Sequence, residues 1–189
     1  MADVNELLAS TADALVNAST GGGSLVVQTI GQAAAKLGKL HELSVLVEGM
    51  SNGQVNNTVF LTGDKPVILR SRIASYTGSG VVLGIYEGAT YTGGVDLPSY
   101  NLNKITPIAP IAKFISGATI VDMGAQAFKL DYLIGNDTKN GSGGTGVSAV
   151  APGVLAPNTA YLFTVESLDS GQDVAVSDEW FEGDLDFTG

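Results

Sequence analysis

The chain has 189 residues, a formal net charge of −10, one histidine and no cysteine. A chain of this length can bury a core of its own, because folding removes roughly 70% of its unfolded surface from water. The lack of cysteine excludes disulfides, cysteine zinc sites and a thiol nucleophile, and one histidine excludes a histidine-rich metal centre. Phosphate contacts require clustered Lys and Arg, so 9 basic against 19 acidic residues argue against nucleic-acid binding.

The first 40 residues are predicted to form an N-terminal arm. Apolar side chains recur at its start with the spacing of a helix that Asp3 could cap. A Gly-rich linker at 19–24, a short strand at 25–27 and a short helix at 33–37 follow. The apolar stripe must be covered by its own domain, a sister subunit or a larger assembly, so it is a candidate partner-binding surface. Its candidate contact residues are Leu7, Leu8, Leu15 and Val16.

Residues 41–189 are predicted to form an antiparallel β-sandwich resembling a jelly roll. Short apolar runs of strand character alternate with turns rich in Gly, Asn and Ser. No helix of useful length separates these runs, as a parallel sheet would require. The whole chain is therefore predicted to be an all-β protein with a partly helical arm. The expected strands cover 43–47, 56–61, 66–73, 81–87, 118–123, 127–134, 159–166 and 174–181.

No sequence motif identifies a reaction, a cofactor or a metal site. His41-Glu42 begins like the helix motif of zinc proteases but lacks the second histidine, and 21–24 lacks the lysine and spacing of a phosphate-binding loop. Asn101 and Asn103 offer too few oxygens for calcium, which takes about six to eight, so turn chemistry explains them better. We therefore expect a non-enzymatic protein without a cofactor. A membrane partner is not expected either, because no run of 18 or more apolar residues is present.

Three residues on predicted strands are candidate contacts. Arg70 and Arg72 lie two positions apart, which predicts that they share one face of a strand. No basic residue follows Lys139, so a partner chain's acidic C-terminal strand would complement that face in a subunit contact. Trp180 is a candidate sugar-stacking residue, although aromatic residues on strands more often belong to the core.

Five segments carry a resemblance to a known group of proteins. The segments are KPVILRSR at 65–72, LGIYEGATYTGG at 83–94, NLNK at 101–104, LAPNTAYL at 155–162 and VAVSDEWFE at 174–182. In their order and content they resemble small virion proteins of tailed bacteriophages, the head decoration and minor head proteins. The resemblance covers about residues 41–182, and in that group the Asn-x-Asn-basic segment often has Arg where this chain has Lys104.

The resemblance implies a structural role in a virus particle. It implies a non-enzymatic β-sandwich that decorates or stabilises a phage capsid by binding the assembled shell, as a dimer or trimer. Its partners would be the major capsid protein or other virion proteins. Its place would be the capsid surface of the virion, after synthesis in the bacterial cytoplasm. The alternative is a receptor- or carbohydrate-binding module on a phage tail or a cell surface.

Overall fold

The computed structural model describes residues 14–18, 25–135, 144–147 and 153–183. Within these residues the chain forms one short helix and many strands, and every strand pair is antiparallel. The predicted all-β antiparallel sandwich is confirmed. The elements are β1 (Ala14–Ala18), β2 (Leu25–Thr29), α1 (Ile30–Lys36), β3 (Leu40–Met50), β4 (Val55–Leu61), β5 (Val67–Tyr76), β6 (Gly80–Glu87), β7 (Thr90–Thr92), β8 (Val95–Leu97), β9 (Tyr100–Asn101), β10 (Lys113–Ser116), β11 (Thr119–Asp122), β12 (Ala125–Gln126), β13 (Asp131–Ile134), β14 (Gly144–Val147), β15 (Gly153–Leu155), β16 (Ala160–Ser167) and β17 (Gln172–Glu182).

The two large sheets have the connectivity of a jelly roll. In the six-stranded sheet, β3, β17 and β5 lie side by side, with β14 and β15 along the far edge of β5. In the seven-stranded sheet, β4, β16, β6 and β13 lie side by side in the same way. The chain therefore crosses between the sheets repeatedly, as in the double-sheet folds of this class. The segment between β6 and β13 extends both sheets, adding β9 to the first and β8, β10 and β12 to the second.

An aromatic cluster forms the centre of the core between the sheets. Phe60, Phe114, Phe163 and Trp180 are all at most 1% exposed. Their ring centroids lie 4.4 to 5.6 Å apart in tilted and edge-on arrangements. Such pairs add stability beyond the area they bury, so this cluster anchors one sheet on the other.

The helix covers part of the outer face of the six-stranded sheet. Ala34 of α1 packs against Leu40, Ile68 and Phe181, which form a cluster separate from the core between the sheets. Part of the predicted arm therefore packs on the sandwich itself. The short helix predicted at 33–37 and the strand predicted at 25–27 are confirmed, with bounds shifted by a few residues.

The predicted helix at the start of the arm is wrong where the structure describes it. Leu15 and Val16 lie on β1, which pairs with β2 in antiparallel register. A short isolated helix is marginal in water, whereas strand pairing satisfies the same backbone groups locally. Leu7 and Leu8 lie outside the described residues. Binding of a partner by these four residues stays a prediction.

Candidate functional site

Arg70 and Arg72 lie on opposite faces of the six-stranded sheet, so the prediction of a shared face is wrong. The register between β5 and β17 shifts, because Glu179 pairs with Ser71 whereas the next residue, Trp180, pairs with Leu69. Arg70 is the extra residue of this β-bulge. A bulge breaks the alternation of side chains, so two residues that are two positions apart no longer share a face.

Arg72 lies buried between the two sheets. Its Nη1 donates to the Gly84 carbonyl at 2.9 Å and its Nη2 to the Thr164 carbonyl at 3.2 Å. Its Nε lies 3.5 Å from Asp178 Oδ1, and the guanidinium lies over the Phe163 ring at 4.9 Å. The partner of Arg72 is thus an acid of its own chain, and the side chain lies beyond reach of a sister subunit.

Asp178 is held in an environment that disfavours its charge. Burial raises the pKa of Asp178 to about 6, against the opposing attraction of Arg72. Its Oδ1 and the Nε of Arg72 have no hydrogen-bond partner in the described structure. A cavity of about 20 Å³ lined by both residues adjoins them, which is room for one water molecule.

Arg70 forms a second ion pair on the outer face of the same sheet. Its Nη1 lies 3.3 Å from Glu179 Oε1, and both side chains are about one-third exposed. Gly31 of α1 approaches this pair so closely that a Cβ there would overlap the guanidinium. The acidic strand that meets Arg70 therefore belongs to the same chain. A further contact of Arg70 with a sister subunit stays a prediction.

Trp180 is fully buried, so it cannot be an exposed platform for a sugar. Its indole packs among Phe60 and Phe114, and Nε1 donates to Glu182 Oε1 at 3.2 Å. The alternation of side chains along β17 indicates this burial from the sequence alone. Val174 and Val176 share the parity of Trp180 on β17 and also face the core. Tyr100, by contrast, is 57% exposed.

A cavity of about 180 Å³ with a mostly apolar lining lies at the end of the sandwich where β3 and β5 begin, and we call it the end cavity. Its polar lining consists of Lys39, His41, Lys65 and Glu182. His41 is 1% exposed and its Nδ1 has no hydrogen-bond partner in the described structure. Burial lowers the pKa of His41, and the Glu182 carboxylate partly opposes this effect. Sequence patterns do not predict this cavity, because its residues come from distant segments.

A patch of exposed apolar side chains lies beside this cavity. Ile105 is 92% exposed, Ile108 50%, Ile111 49% and Leu37 58%. The first three belong to the loop between β9 and β10, and Leu37 follows α1. The loop contacts the end of the helix, since the amide of Ile108 donates to the Gly38 carbonyl at 3.2 Å. We call these four residues the apolar patch.

Asn101 and Asn103 fix the shape of the loop that carries the apolar patch. Asn101 Nδ2 donates to the carbonyls of Gly38 at 2.6 Å and Ile108 at 2.8 Å. Asn103 Oδ1 accepts from the amides of Ile105 and Thr106, both at 2.9 Å. Both asparagines thus serve as turn residues, as the sequence predicts.

The described residues were compared with two simple signatures, a cluster of metal-ligating side chains and a membrane-spanning helix. No group of three His, Cys, Asp or Glu side chains able to hold a metal ion occurs among those residues. The helix found there is too short to cross a membrane, and no other described segment forms a longer helix.

Comparison with known proteins gives no family. No protein-family model matches the chain, and no curated protein matches it. Two structures of infectious bursal disease virus, of the Gx and Gt strains, are similar at 11% identity over 90% of this chain. The chain spans about half the length of those viral chains, 48% and 47%. The TM-scores are 0.16 and 0.17, and likenesses this low carry no argument about fold or function.

Proposed function

We propose that the protein is a non-enzymatic virion structural protein that binds the assembled shell of a phage capsid, as a dimer or trimer. The observation that carries this proposal is the apolar patch. Single exposed apolar residues are common, but ordered groups of them mark interaction sites. The jelly roll agrees with the proposal, since viral capsid proteins use it, although lectins and cupins use it too.

The apolar patch is suited to binding a large preformed surface. Ile105 and its neighbours are held by the hydrogen bonds of Asn101 and Asn103, so little loop entropy is lost on binding. Burying apolar area contributes about 25 cal/mol per Å². A protein that binds the assembled shell better than its free subunits stabilises the shell by mass action. The arm residues Leu7, Leu8, Leu15 and Val16 are proposed as a second contact with the shell.

A binding assay with a matched control tests this proposal. Purified protein is sedimented with undecorated shells of the source phage, and the bound fraction is measured. Ile105→Ser is expected to weaken binding about tenfold or more, as for a central interface residue. Ile134→Ser is the control, because Ile134 is also exposed, at 70%, but lies on β13. Equal binding by both variants would overturn the role of the patch.

A further inference from the structure

The end cavity has the features of a built ligand site. Its volume of about 180 Å³ would hold roughly six water molecules at ~30 Å³ each. One wall is apolar, formed by Ile108, Ala109 and Ile111. Lys39 is half-buried and Lys65 exposed, whereas His41 is buried. The cavity therefore combines a charged entrance, an apolar wall and a buried polar atom.

Glu182 is already occupied by hydrogen bonds and leaves the lysines free. Its Oε2 accepts from the amide of Ile111 at 2.8 Å, and its Oε1 accepts from Ala112 at 3.0 Å. Oε1 also accepts from Trp180 Nε1 at 3.2 Å. Neither lysine forms an ion pair with an acid in the described part of the chain. The lysine charges are thus available to a ligand.

The net charge of the cavity selects the class of ligand. Two lysines and one glutamate, with His41 neutral, leave one positive charge. A monoanion balances that charge, whereas a phosphate dianion would lie against Glu182 with an excess negative charge. A carboxylate oxygen would also supply the partner that His41 Nδ1 lacks, which matters because unpaired buried polar atoms are destabilising.

We propose that this cavity binds a monoanionic carboxylate carrying a short apolar group, with Lys39 and Lys65 on the carboxylate, His41 beneath it and the apolar group against Ile108 and Ile111. The site shares Ile108 and Ile111 with the apolar patch, but it does not require that the patch binds a shell. Ammonium–carboxylate hydrogen bonds are among the stronger polar contacts, and the apolar wall favours an alkyl chain over a bare anion. A ligand this small would bind with a dissociation constant of about millimolar.

The chain contains its own reporter for this site, because His41 is its only histidine. The imidazole proton signals in an NMR spectrum of the full chain therefore belong to one residue. Titration with sodium propionate is expected to shift them saturably and to raise the pKa of His41, since a carboxylate stabilises the imidazolium. The other titratable groups facing it are Lys39, Lys65 and Glu182. Sodium chloride at equal ionic strength is the salt control.

Variants that lack the lysine charges test whether propionate shifts the His41 signals by binding in the cavity. Lys39→Met with Lys65→Met keeps the aliphatic stems and is expected to weaken propionate binding about tenfold or more. Lys129→Met is the control, since Lys129 is exposed and lines no part of the cavity. The proposal is overturned by a His41 signal that responds equally to chloride, or that does not move at about 100 mM propionate. An unchanged response of the double variant, or an equal response to phosphate, would also overturn it.

A second titration separates the sources of such a carboxylate. A capped peptide with one glutamate presents the same group as a protein partner would. Saturation by propionate alone indicates a free small acid. Saturation by both indicates that an acidic side chain of a partner fits as well. Either result supports the carboxylate site.

Discussion

Arg70 and Arg72 stand two positions apart on β5, yet each pairs with a different one of two consecutive acids on β17. Arg72 pairs with Asp178 between the sheets, and Arg70 pairs with Glu179 on the outer face. The bulge at Arg70 makes this arrangement possible, because it turns the two arginines to opposite faces. The Arg72–Asp178 pair is buried and the Arg70–Glu179 pair is partly exposed to solvent, so the two pairs have different consequences for stability.

The buried pair predicts an unusual pH dependence of stability. The pKa of Asp178 is about 6 when folded, against about 3.9 in an unfolded chain. The folded state therefore binds the proton more tightly, so this group stabilises the fold as pH falls through 6, and the gain is lost as pH rises. Its contribution to the free energy of unfolding should rise by about 1 kcal/mol between about pH 7 and pH 5.

Urea unfolding of the wild type and Asp178→Asn at both pH values measures this contribution. The other carboxylates titrate equally in both proteins, so the difference between their pH slopes isolates Asp178. The wild type should gain more stability on acidification than the variant. Identical pH slopes would contradict the raised pKa.

The ion pair of Arg70 with Glu179 on the outer face predicts the effect of Gly31→Ala. This substitution should change stability little but remove the energetic coupling between the two charged side chains. Alanine in place of Gly31 favours the helix by about 1 kcal/mol but displaces the Arg70 guanidinium from Glu179. A partly exposed ion pair contributes only about 0–1 kcal/mol, so Gly31→Ala should change stability by less than about 1 kcal/mol. A double-mutant cycle between Arg70→Ala and Glu179→Ala should show coupling in the wild-type background and none in the Gly31→Ala background. Equal coupling in both backgrounds would show that the guanidinium does not need the space at Gly31.

Sequence periodicity predicts the sandwich well and the site poorly, for physical reasons. The alternation in β17 reflects burial of one face between two sheets, and the apolar run of β16 reflects nearly continuous burial, so each pattern is a local property of its strand. The bulge at Arg70 has no signal in the alternation of its own strand, because it depends on the register with β17. The end cavity joins residues as distant as Lys39 and Glu182, which only the tertiary fold brings together.

Burial of Trp180 predicts a large effect on stability instead of an effect on sugar binding. Trp180→Ala removes the centre of the aromatic cluster and should destabilise the protein by about 3–5 kcal/mol. Tyr100→Ala, at an exposed aromatic residue, should change stability by less than about 0.5 kcal/mol. Denaturant unfolding measures both. A Trp180→Ala protein of wild-type stability would contradict the packing of the core.

The order of the loop that carries the apolar patch should depend on the hydrogen bonds that Asn103 Nδ2 donates. Asn103→Asp keeps the oxygen that accepts from the Ile105 and Thr106 amides but removes the bond that Nδ2 donates to the Lys36 carbonyl at 3.0 Å. The Thr106 hydroxyl can turn and donate to the new carboxylate oxygen, so the loss is the one bond to Lys36, about 1 kcal/mol. Amide hydrogen exchange of Leu37 and Ile108, at the contact between loop and helix, should accelerate while β16 is unchanged. Unchanged exchange at both residues would show that the loop is held by other contacts.

The central claim, that the protein binds an assembled shell, is tested most directly by immunogold labelling of particles from the source lysate with an antibody to this chain. Shell binding predicts label distributed over the heads of the particles. Label confined to the tail tip would contradict shell binding and favour the receptor-binding alternative. Label on no particle would contradict the virion assignment altogether.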